Sequence, residues 1–172
     1  IKCNFHKGSV RFASGGEYIV KISDVLKKEQ IVFNLDTNTK EETIKKLSSI
    51  FVENGIVDNE EEYVKSVLER EEHSTTGIGN GIAIPHGKSN AVKKSSIIFA
   101  KTKHKIEWDA LDEKPVDSIF LLAISNIDKD SNHLVLLSKL ATKLMDDDNV
   151  DALKLANSEQ EIINIFSEEG EM

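Results

Sequence analysis

Apolar residues recur along the chain with two different spacings, and segments of each kind alternate from about residue 19 onward. A helical period predicts amphipathic helices, and a short, nearly continuous apolar run predicts a buried strand. Helices are predicted at 22–26, 40–54, 58–70, 131–145, 150–155 and 158–166. Strands are predicted at 30–35, 82–84, 95–101 and 118–125, with a candidate edge segment at 106–108. Because strands and helices bury their apolar faces against one another, the pattern predicts one layered α/β domain with a central sheet.

Composition narrows the class of protein. The chain has 172 residues, of which 39% are apolar and 30% are charged, which is too apolar for a disordered chain and too charged for a membrane protein. The formal net charge of −8 argues against nucleic acid or an anionic membrane as the main partner. The single cysteine, Cys3, excludes an internal disulfide and a cysteine-based zinc site. Without a bilayer-length apolar run or a recognisable signal peptide, we expect a cytoplasmic protein with no direct membrane insertion.

The two ends of the chain differ from the body in composition. Residues 1–18 are basic, contain glycine and serine and show no sustained hydrophobic period, so a leader, a linker or an expression remnant is expected there. Residues 19–167 form the predicted domain. Residues 168–172 form an acidic tail that is expected to fray.

The chemistry is concentrated in a glycine-rich loop at 73–88. Its glycines, Gly77, Gly79 and Gly81, lack the order of a dinucleotide fingerprint and lead into a strand, and the chain has no P-loop motif. They are therefore expected to allow tight turns beside a site. His86 follows Pro85, which restricts the backbone, and precedes Gly87, which we expect to leave open space. A histidine so placed can be a metal ligand, a general base or a nucleophile, and it can equally be structural.

The segment STTGIGNGIAIPHGK at 74–88 resembles the phosphohistidine motif of enzyme IIA domains. These domains belong to the bacterial phosphoenolpyruvate-dependent sugar phosphotransferase system, in its fructose/mannitol class. The likeness extends to LERE at 68–71, ALDEKPV at 110–116 and HLVLLSKLA at 133–141, and it covers about 19–166. The fructose type is closest. The resemblance implies a mixed central sheet flanked by helices on both faces.

The resemblance also implies a phosphoryl relay without a cofactor or a metal. The histidine phosphocarrier protein HPr would phosphorylate His86, and a cysteine of an enzyme IIB domain would then take the group, coupled to sugar import through the membrane component IIC. His133 and Arg70 match the family's second histidine and its arginine, which implies that both stabilise the phosphoryl group. The hydroxyl groups of Ser74, Thr75 and Thr76 are candidate donors, or they hydrogen-bond within their own loop.

The remaining candidates have plainer interpretations. Glu71 and Glu72 are expected to form a solvated face, although one of them could orient a histidine. His6, His73 and His104 are expected to be structural or solvated, and the histidine spacing does not suit a helical metal site. Trp108 is expected in the core or the sheet. The apolar residues expected around His86 for docking both partners, each equally compatible with the core, are Ile78, Ile82 and Leu134.

Three other functions stay open at this stage. The nitrogen-related branch of the same family has a very similar motif and binds regulatory targets. A metal-dependent hydrolase using His86 and His133 would bind metal stoichiometrically. A catalytically dead binding fold would not accept a phosphoryl group.

Overall fold

A computed structural model describes residues 21–127 and 130–167, and for 130–133 it describes the backbone. The segments expected as a leader, at 1–18, and as an acidic tail, at 168–172, lie outside the described residues. No helix within the described ranges is both long enough and apolar enough to cross a membrane.

Within the described residues, six α-helices and six strands follow one another in mixed order. The helices are α1 (Ile22–Val25), α2 (Lys40–Glu53), α3 (Glu60–His73), α4 (Asp130–Met145), α5 (Asp147–Leu155) and α6 (Glu159–Phe166). A short 3-10 turn, Lys28–Gln30, precedes the first strand. The strands are β1 (Ile31–Leu35), β2 (Gly77–Gly79), β3 (Ile82–Ala83), β4 (His86–Ser89), β5 (Ser96–Ile106) and β6 (Val116–Ser125).

The strands form one mixed sheet in the order β1-β5-β6-β3-β2, with β4 also paired to β6. Strands β5 and β6 are antiparallel, whereas β1 runs parallel to β5 and both β3 and β4 run parallel to β6. The fold class implied by the resemblance is therefore confirmed, and the strand order is added.

Alternation along the two long strands builds a core on each face of the sheet. Ile119 and Leu121 of β6 pack with α2 and α3, whereas Phe120 and Leu122 pack with α1, α4, α5 and α6. Because successive side chains of a strand point to opposite faces, the continuous apolar run of β6 fills both cores at once. Helices consequently cover both faces of the sheet.

Local sequence signals determine where most of the helices and strands begin and end. The side chain of Thr39 accepts a hydrogen bond from the backbone N–H of Glu42 at 3.1 Å, as the capping pattern predicted for α2. The candidate edge segment at 106–108 is wrong, because β5 ends at Ile106 and Trp108 lies in the following loop. Trp108 is nevertheless fully buried, as expected, because the chain folds that loop inward beneath the glycine-rich segment.

Candidate active site

A tight turn and a proline set the path of the chain towards His86. Asn80 and Gly81 both have positive φ angles, 57° and 76°, in the turn between β2 and β3. Strand β3 ends at Ala83, before Pro85, as predicted, and the Pro85 carbonyl still accepts a hydrogen bond from Leu122 N of β6 at 3.0 Å. Proline lacks only the donor, so β4 resumes parallel pairing with β6 at His86 itself.

The His86 ring is half-buried, and its orientation is fixed locally. Its Nδ1 atom lies 3.0 Å from the carbonyl oxygen of Ile84. A carbonyl oxygen can only accept, so Nδ1 carries the hydrogen and donates it. In the neutral ring, the lone pair is then on Nε2.

Strand pairing assigns His86 and α4 to the same side of the sheet. His86 is aligned with Leu122 of β6, and aligned residues of neighbouring strands project to the same face. Leu122 packs with Leu136 and Leu140 of α4. His133 lies in the first turn of α4, and its side chain is outside the described part of the structure.

Gly87 projects to the opposite face, against α3. A Cβ there would lie 2.7 Å from Val67 Cγ2 and 3.0 Å from the Val67 backbone nitrogen. The expectation of open space after His86 is therefore wrong, because helix α3 occupies that space. Glycine at this position permits the close approach of a helix to the strand that carries His86.

Helix α3 runs antiparallel to β4. The contacts between the two elements show which strand residue lies beside Arg70. Ser89 donates to Glu62 Oε1 at 3.0 Å, and one helical turn later Ser66 faces Gly87. A further turn advances the helix by about 6 Å, or about two strand residues, which brings Arg70 to the level of Pro85. Among the described strands, β4 pairs only with β6, so the opposite side of β4 is an edge of the sheet. A long side chain can reach around this edge from one face of the sheet to the other.

The hydroxyl groups of the loop differ in their surroundings. Arg70 Nη1 donates to the Ser74 carbonyl at 2.9 Å and lies 3.4 Å from the exposed Ser74 hydroxyl. Thr75 Oγ1 donates to the Trp108 carbonyl at 3.0 Å and accepts from Gly77 N at 3.1 Å. Thr76 is buried, and its hydroxyl donates to Glu71 Oε1. Two of the three hydroxyls thus hold the loop together.

A buried polar cluster lies beneath this loop, and the sequence analysis missed it. The Glu71 side chain is only 5% exposed and lies 3.5 Å from Lys40 Nζ, so its assignment to a solvated face is wrong, whereas Glu72 is exposed. Lys40 also lies over the Trp108 ring, 5.6 Å from its centroid. Trp108 Nε1 donates to Thr76 Oγ1 at 3.2 Å. Lys40 on α2 and Trp108 in a loop are both distant in sequence from Glu71. No local sequence pattern therefore predicts that these side chains cluster.

Two residues that contact the strands leading to His86 have shifted pKa values: Tyr63, which contacts β6, and Asp112, at the turn before β3. The Tyr63 hydroxyl is fully buried and donates to the Leu122 carbonyl at 2.8 Å, and burial raises the pKa of Tyr63 well above its ordinary value. Asp112 Oδ2 accepts from Asn80 N at 3.1 Å, which holds the turn before β3. The pKa of Asp112 is lowered by its backbone hydrogen bond from Lys114 first and by that from Asn80 as well.

The other histidines lie elsewhere. His73 is exposed at the end of α3, and the exposed His104 ring has Nε2 3.1 Å from Asp36 Oδ1, whereas His6 is outside the described residues. Within 21–127 and 130–167, no three histidine, cysteine, aspartate or glutamate side chains are grouped to hold a metal ion.

Two of the three candidate docking residues are at the surface. Ile78 is 41% exposed and Leu134 is 62% exposed. Ile82 is buried, so its candidacy as a docking residue is wrong; it packs in the core on the α4 side of the sheet.

Comparison with known proteins identifies the family to which this chain is similar. Residues 24–169 match the family model described as "Phosphoenolpyruvate-dependent sugar phosphotransferase system, EIIA 2". The fructose-specific EIIA component of Haloferax volcanii is 35% identical over 87% of this chain and 97% of its own length. The fructose-specific EIIABC component of Bacillus subtilis is 34% identical over 87% of this chain, and the chain spans 23% of that relative's length.

A solved structure extends the comparison to the fold. The nitrogen regulatory protein IIA-Ntr from Neisseria meningitidis superposes with a TM-score of 0.79 and 29% identity, over 85% of this chain and 99% of the other. A match to the family model over most of the domain, a relative matched nearly end to end and a shared fold agree. The chain therefore belongs to the EIIA 2 family of the phosphoenolpyruvate-dependent sugar phosphotransferase system.

Proposed function

We propose that this protein is a phosphocarrier that accepts a phosphoryl group from phospho-HPr on Nε2 of His86 and passes it to a cysteine of an enzyme IIB domain. The observation that carries the proposal is the 3.0 Å contact between His86 Nδ1 and the Ile84 carbonyl. A nucleophilic imidazole must be neutral, with its second nitrogen held by an acceptor. The contact supplies this acceptor from the rigid backbone just before the strand.

The transfer requires little chemistry beyond positioning. The phosphorus–nitrogen bond of phospho-HPr breaks as the lone pair of His86 Nε2 forms a new bond to phosphorus. In the second step that new bond breaks as a cysteine thiolate of the IIB domain attacks phosphorus, and the electron pair returns to Nε2. The phosphoryl group spreads its charge over three equatorial oxygens, which need donors around them.

Arg70, His133 and Ser74 are the proposed donors. Arg70 lies on α3 at the level of the residue before His86, and its guanidinium carries more N–H groups than its bonds to Ser74 use. His133 lies in the first turn of α4, on the same side of the sheet as His86, where backbone N–H groups also favour an anion. Ser74 is the proposed hydroxyl donor, because the hydroxyls of Thr75 and Thr76 donate to Trp108 and Glu71.

The proposed partners follow from this relay and from the names of the relatives. The Bacillus subtilis relative is named an EIIABC component, which supports an enzyme IIB domain as the acceptor and a membrane component IIC as the site of sugar import. Both sequence relatives are named fructose-specific, so a fructose-type sugar is the proposed cargo. Exposed Ile78 and Leu134 are the proposed apolar contacts for HPr and the IIB domain. The relay is proposed to run in the cytoplasm.

Phosphorylation in a reconstituted relay tests the proposal. Incubation with phosphoenolpyruvate, enzyme I and HPr is expected to give an acid-labile, base-stable phosphoryl adduct on His86. The His86→Ala variant is expected to accept none, whereas His133→Ala is expected to keep the acceptor and to transfer about tenfold or more slowly, because only a stabilising donor is lost. Full labelling of His86→Ala would overturn the proposal, and an unchanged rate in His133→Ala would remove His133 from the site.

A second candidate function rests on the structural comparison. The IIA-Ntr protein from Neisseria meningitidis is named a nitrogen regulatory protein, and its fold superposes on this chain at a TM-score of 0.79. A regulatory protein of this kind would bind a target according to its phosphorylation state. Rapid transfer of the phosphoryl group from His86 to a IIB domain supports transport, whereas a phosphoprotein that persists in the presence of IIB supports regulation.

A further inference from the structure

We propose that Glu71 is a positioning residue for His86, which it reaches through Thr76 and Ile84. This inference rests on the proposed function, because it concerns how the phosphoryl acceptor is oriented. Glu71 lies in the last turn of α3, and His86 is the first residue of β4, so the glycine-rich loop separates them along the chain.

Each contact on this path is a hydrogen bond to the backbone or to a buried side chain. Glu71 Oε1 accepts from the Thr76 hydroxyl, and Glu71 Oε2 lies 3.4 Å from the Thr76 backbone nitrogen, so one carboxylate holds both donors of Thr76. The Thr76 carbonyl accepts from Ile84 N at 3.0 Å. The carbonyl of that same Ile84 accepts from His86 Nδ1 at 3.0 Å. Glu71 therefore fixes the strand segment whose carbonyl fixes the ring.

The burial of Glu71 needs a reason beyond stability. A carboxylate that is 5% exposed loses most of its hydration, and a well-packed apolar residue is often at least as stable in such a place. Here Lys40 lies 3.5 Å from Glu71 Oε2, and Trp108 Nε1 donates 3.2 Å to the Thr76 hydroxyl. Lys40 of α2, Glu71 of α3 and Trp108 of its loop thus form one network with Thr76, with matched donors and acceptors. Such a satisfied network specifies one loop conformation.

The consequence for His86 is a single ring geometry. Loss of the carboxylate would let the segment from Thr76 to Ile84 relax and would weaken the acceptor at His86 Nδ1. The ring could then take the other tautomer, with hydrogen on Nε2, or rotate away from the line of attack. Either change lowers the fraction of molecules that are ready to accept a phosphoryl group.

A matched pair of carboxamide variants tests this role. Glu71→Gln keeps the shape of the side chain but removes the charge and one acceptor. Glu62→Gln makes the same change on the same helix, at a carboxylate that accepts from Ser89 at the far end of β4. The readouts are the rate of phosphorylation by phospho-HPr and nitrogen NMR of isotope-labelled histidine, with the His86 signals assigned by their absence in His86→Ala.

We expect Glu71→Gln to be phosphorylated about five- to tenfold more slowly, which is the effect of one net hydrogen bond, and to show a mixture of His86 tautomers. Glu62→Gln is expected to match the wild type in both readouts. Wild-type rate and a single Nδ1–H tautomer in Glu71→Gln would overturn the inference. So would a lower unfolding midpoint in Glu71→Gln with an unchanged tautomer, because that outcome describes a purely structural residue.

A second pair of variants keeps the inference testable if Glu71→Gln does not fold. Thr76→Val removes the hydroxyl at constant shape, and Thr76→Ser retains it. The inference requires the serine variant to keep the Nδ1–H tautomer and the valine variant to lose it; equal tautomers in both would overturn it. These tautomer spectra need no phosphoryl donor, so they decide the positioning role even if wild-type His86 accepts no phosphoryl group and the proposed function fails.

Discussion

Gly87 of β4 and Val67 of α3 approach so closely that no methyl group fits between them. A Cβ on Gly87 would lie 2.7 Å from Val67 Cγ2, and the Ser66 hydroxyl would be nearer still. This contact sets the distance between the helix that carries Arg70 and the strand that begins at His86. The residue after the proposed acceptor is thus a spacer between two layers of the fold.

Gly87→Ala is expected to lower the free energy of unfolding by about 1–3 kcal/mol, because the added methyl group overpacks the contact with α3. The strain lies one residue from His86, so phosphorylation by phospho-HPr is also expected to slow. Urea unfolding measures the first effect, and the initial rate of phosphorylation measures the second.

Gly55→Ala is the matched control for this glycine. Gly55 has a φ angle of 72° and nothing within 4 Å of an added Cβ, so the substitution strains the backbone without a clash. It is expected to cost about 1 kcal/mol and to leave the phosphorylation rate unchanged. A Gly87→Ala variant as stable and as fast as wild type would show that α3 can move away freely.

The sequence predicted those features that depend on neighbours along the chain. Thr39 and Glu42 mark the start of α2, and the apolar run of β6 marks a strand buried on both faces. Strand β4 was missed, because its HGKS sequence has no strand pattern of its own and is ordered by pairing with β6. Long-range pairing of this kind leaves no periodic signal in the paired segment.

The candidate site also contains residues that the local sequence indicates and residues that depend on long-range contacts. His86 could be picked out because Pro85 and the glycines flank it, and the family resemblance gave it a role. The sequence indicated a solvated face for Glu71 and Glu72, with one of them able to orient a histidine, because the tryptophan and lysine that bury Glu71 are distant along the chain. Its burial depends on Trp108 and Lys40, which the chain brings together only in the folded state.

Lys40→Met is expected to lower the free energy of unfolding by about 1–3 kcal/mol, since it leaves a nearly buried Glu71 carboxylate without its cation. Lys40 is 23% exposed on its side chain, so part of its charge remains hydrated, and the loss is expected to stay below that of a fully buried ion pair. Chemical denaturation at neutral pH measures the change.

Lys45→Met on the same helix is the control for Lys40→Met. Lys45 pairs with Glu41 at 2.7 Å, but both side chains are exposed to solvent, at 58% and 61%. Such a solvent-exposed pair contributes only about 0.3–0.5 kcal/mol. Equal losses in the two variants would show that Lys40 acts as an ordinary surface charge.

Tyr63→Phe is expected to alter the pH dependence of stability in the alkaline range. Burial raises the pKa of folded Tyr63 well above the ordinary value of 10.0, so the folded state retains its proton while the unfolded state loses it. Stability from this group is complete below pH 10.0 and falls above it, by up to about 1.4 kcal/mol per pH unit. The phenylalanine variant should lack this fall.

The measurement for Tyr63 is the difference in unfolding free energy between wild type and Tyr63→Phe from pH 8 to 11. Taking the difference cancels Lys101, whose pKa is lowered by burial and whose contribution therefore rises with pH. At neutral pH the variant is expected to lose about 0.5–1.5 kcal/mol, the net value of the hydrogen bond to Leu122. A difference that stays constant to pH 11 would contradict the buried, neutral hydroxyl.

Arg70→Ala is expected to slow phosphorylation of His86 about ten- to a hundredfold, because it removes a donor to the charged oxygens in the transition state. Arg70→Lys is expected to recover only part of the rate, since an ammonium group lacks the planar fork of a guanidinium. Lys65→Ala removes an exposed positive charge from the same helix, where Lys65 lies 3.9 Å from Glu69, and it should leave the rate unchanged. Initial rates with phospho-HPr at fixed ionic strength measure all three. Full recovery by lysine would reduce the role of Arg70 to its charge, and a slow Lys65→Ala would assign the effect to the general field of α3.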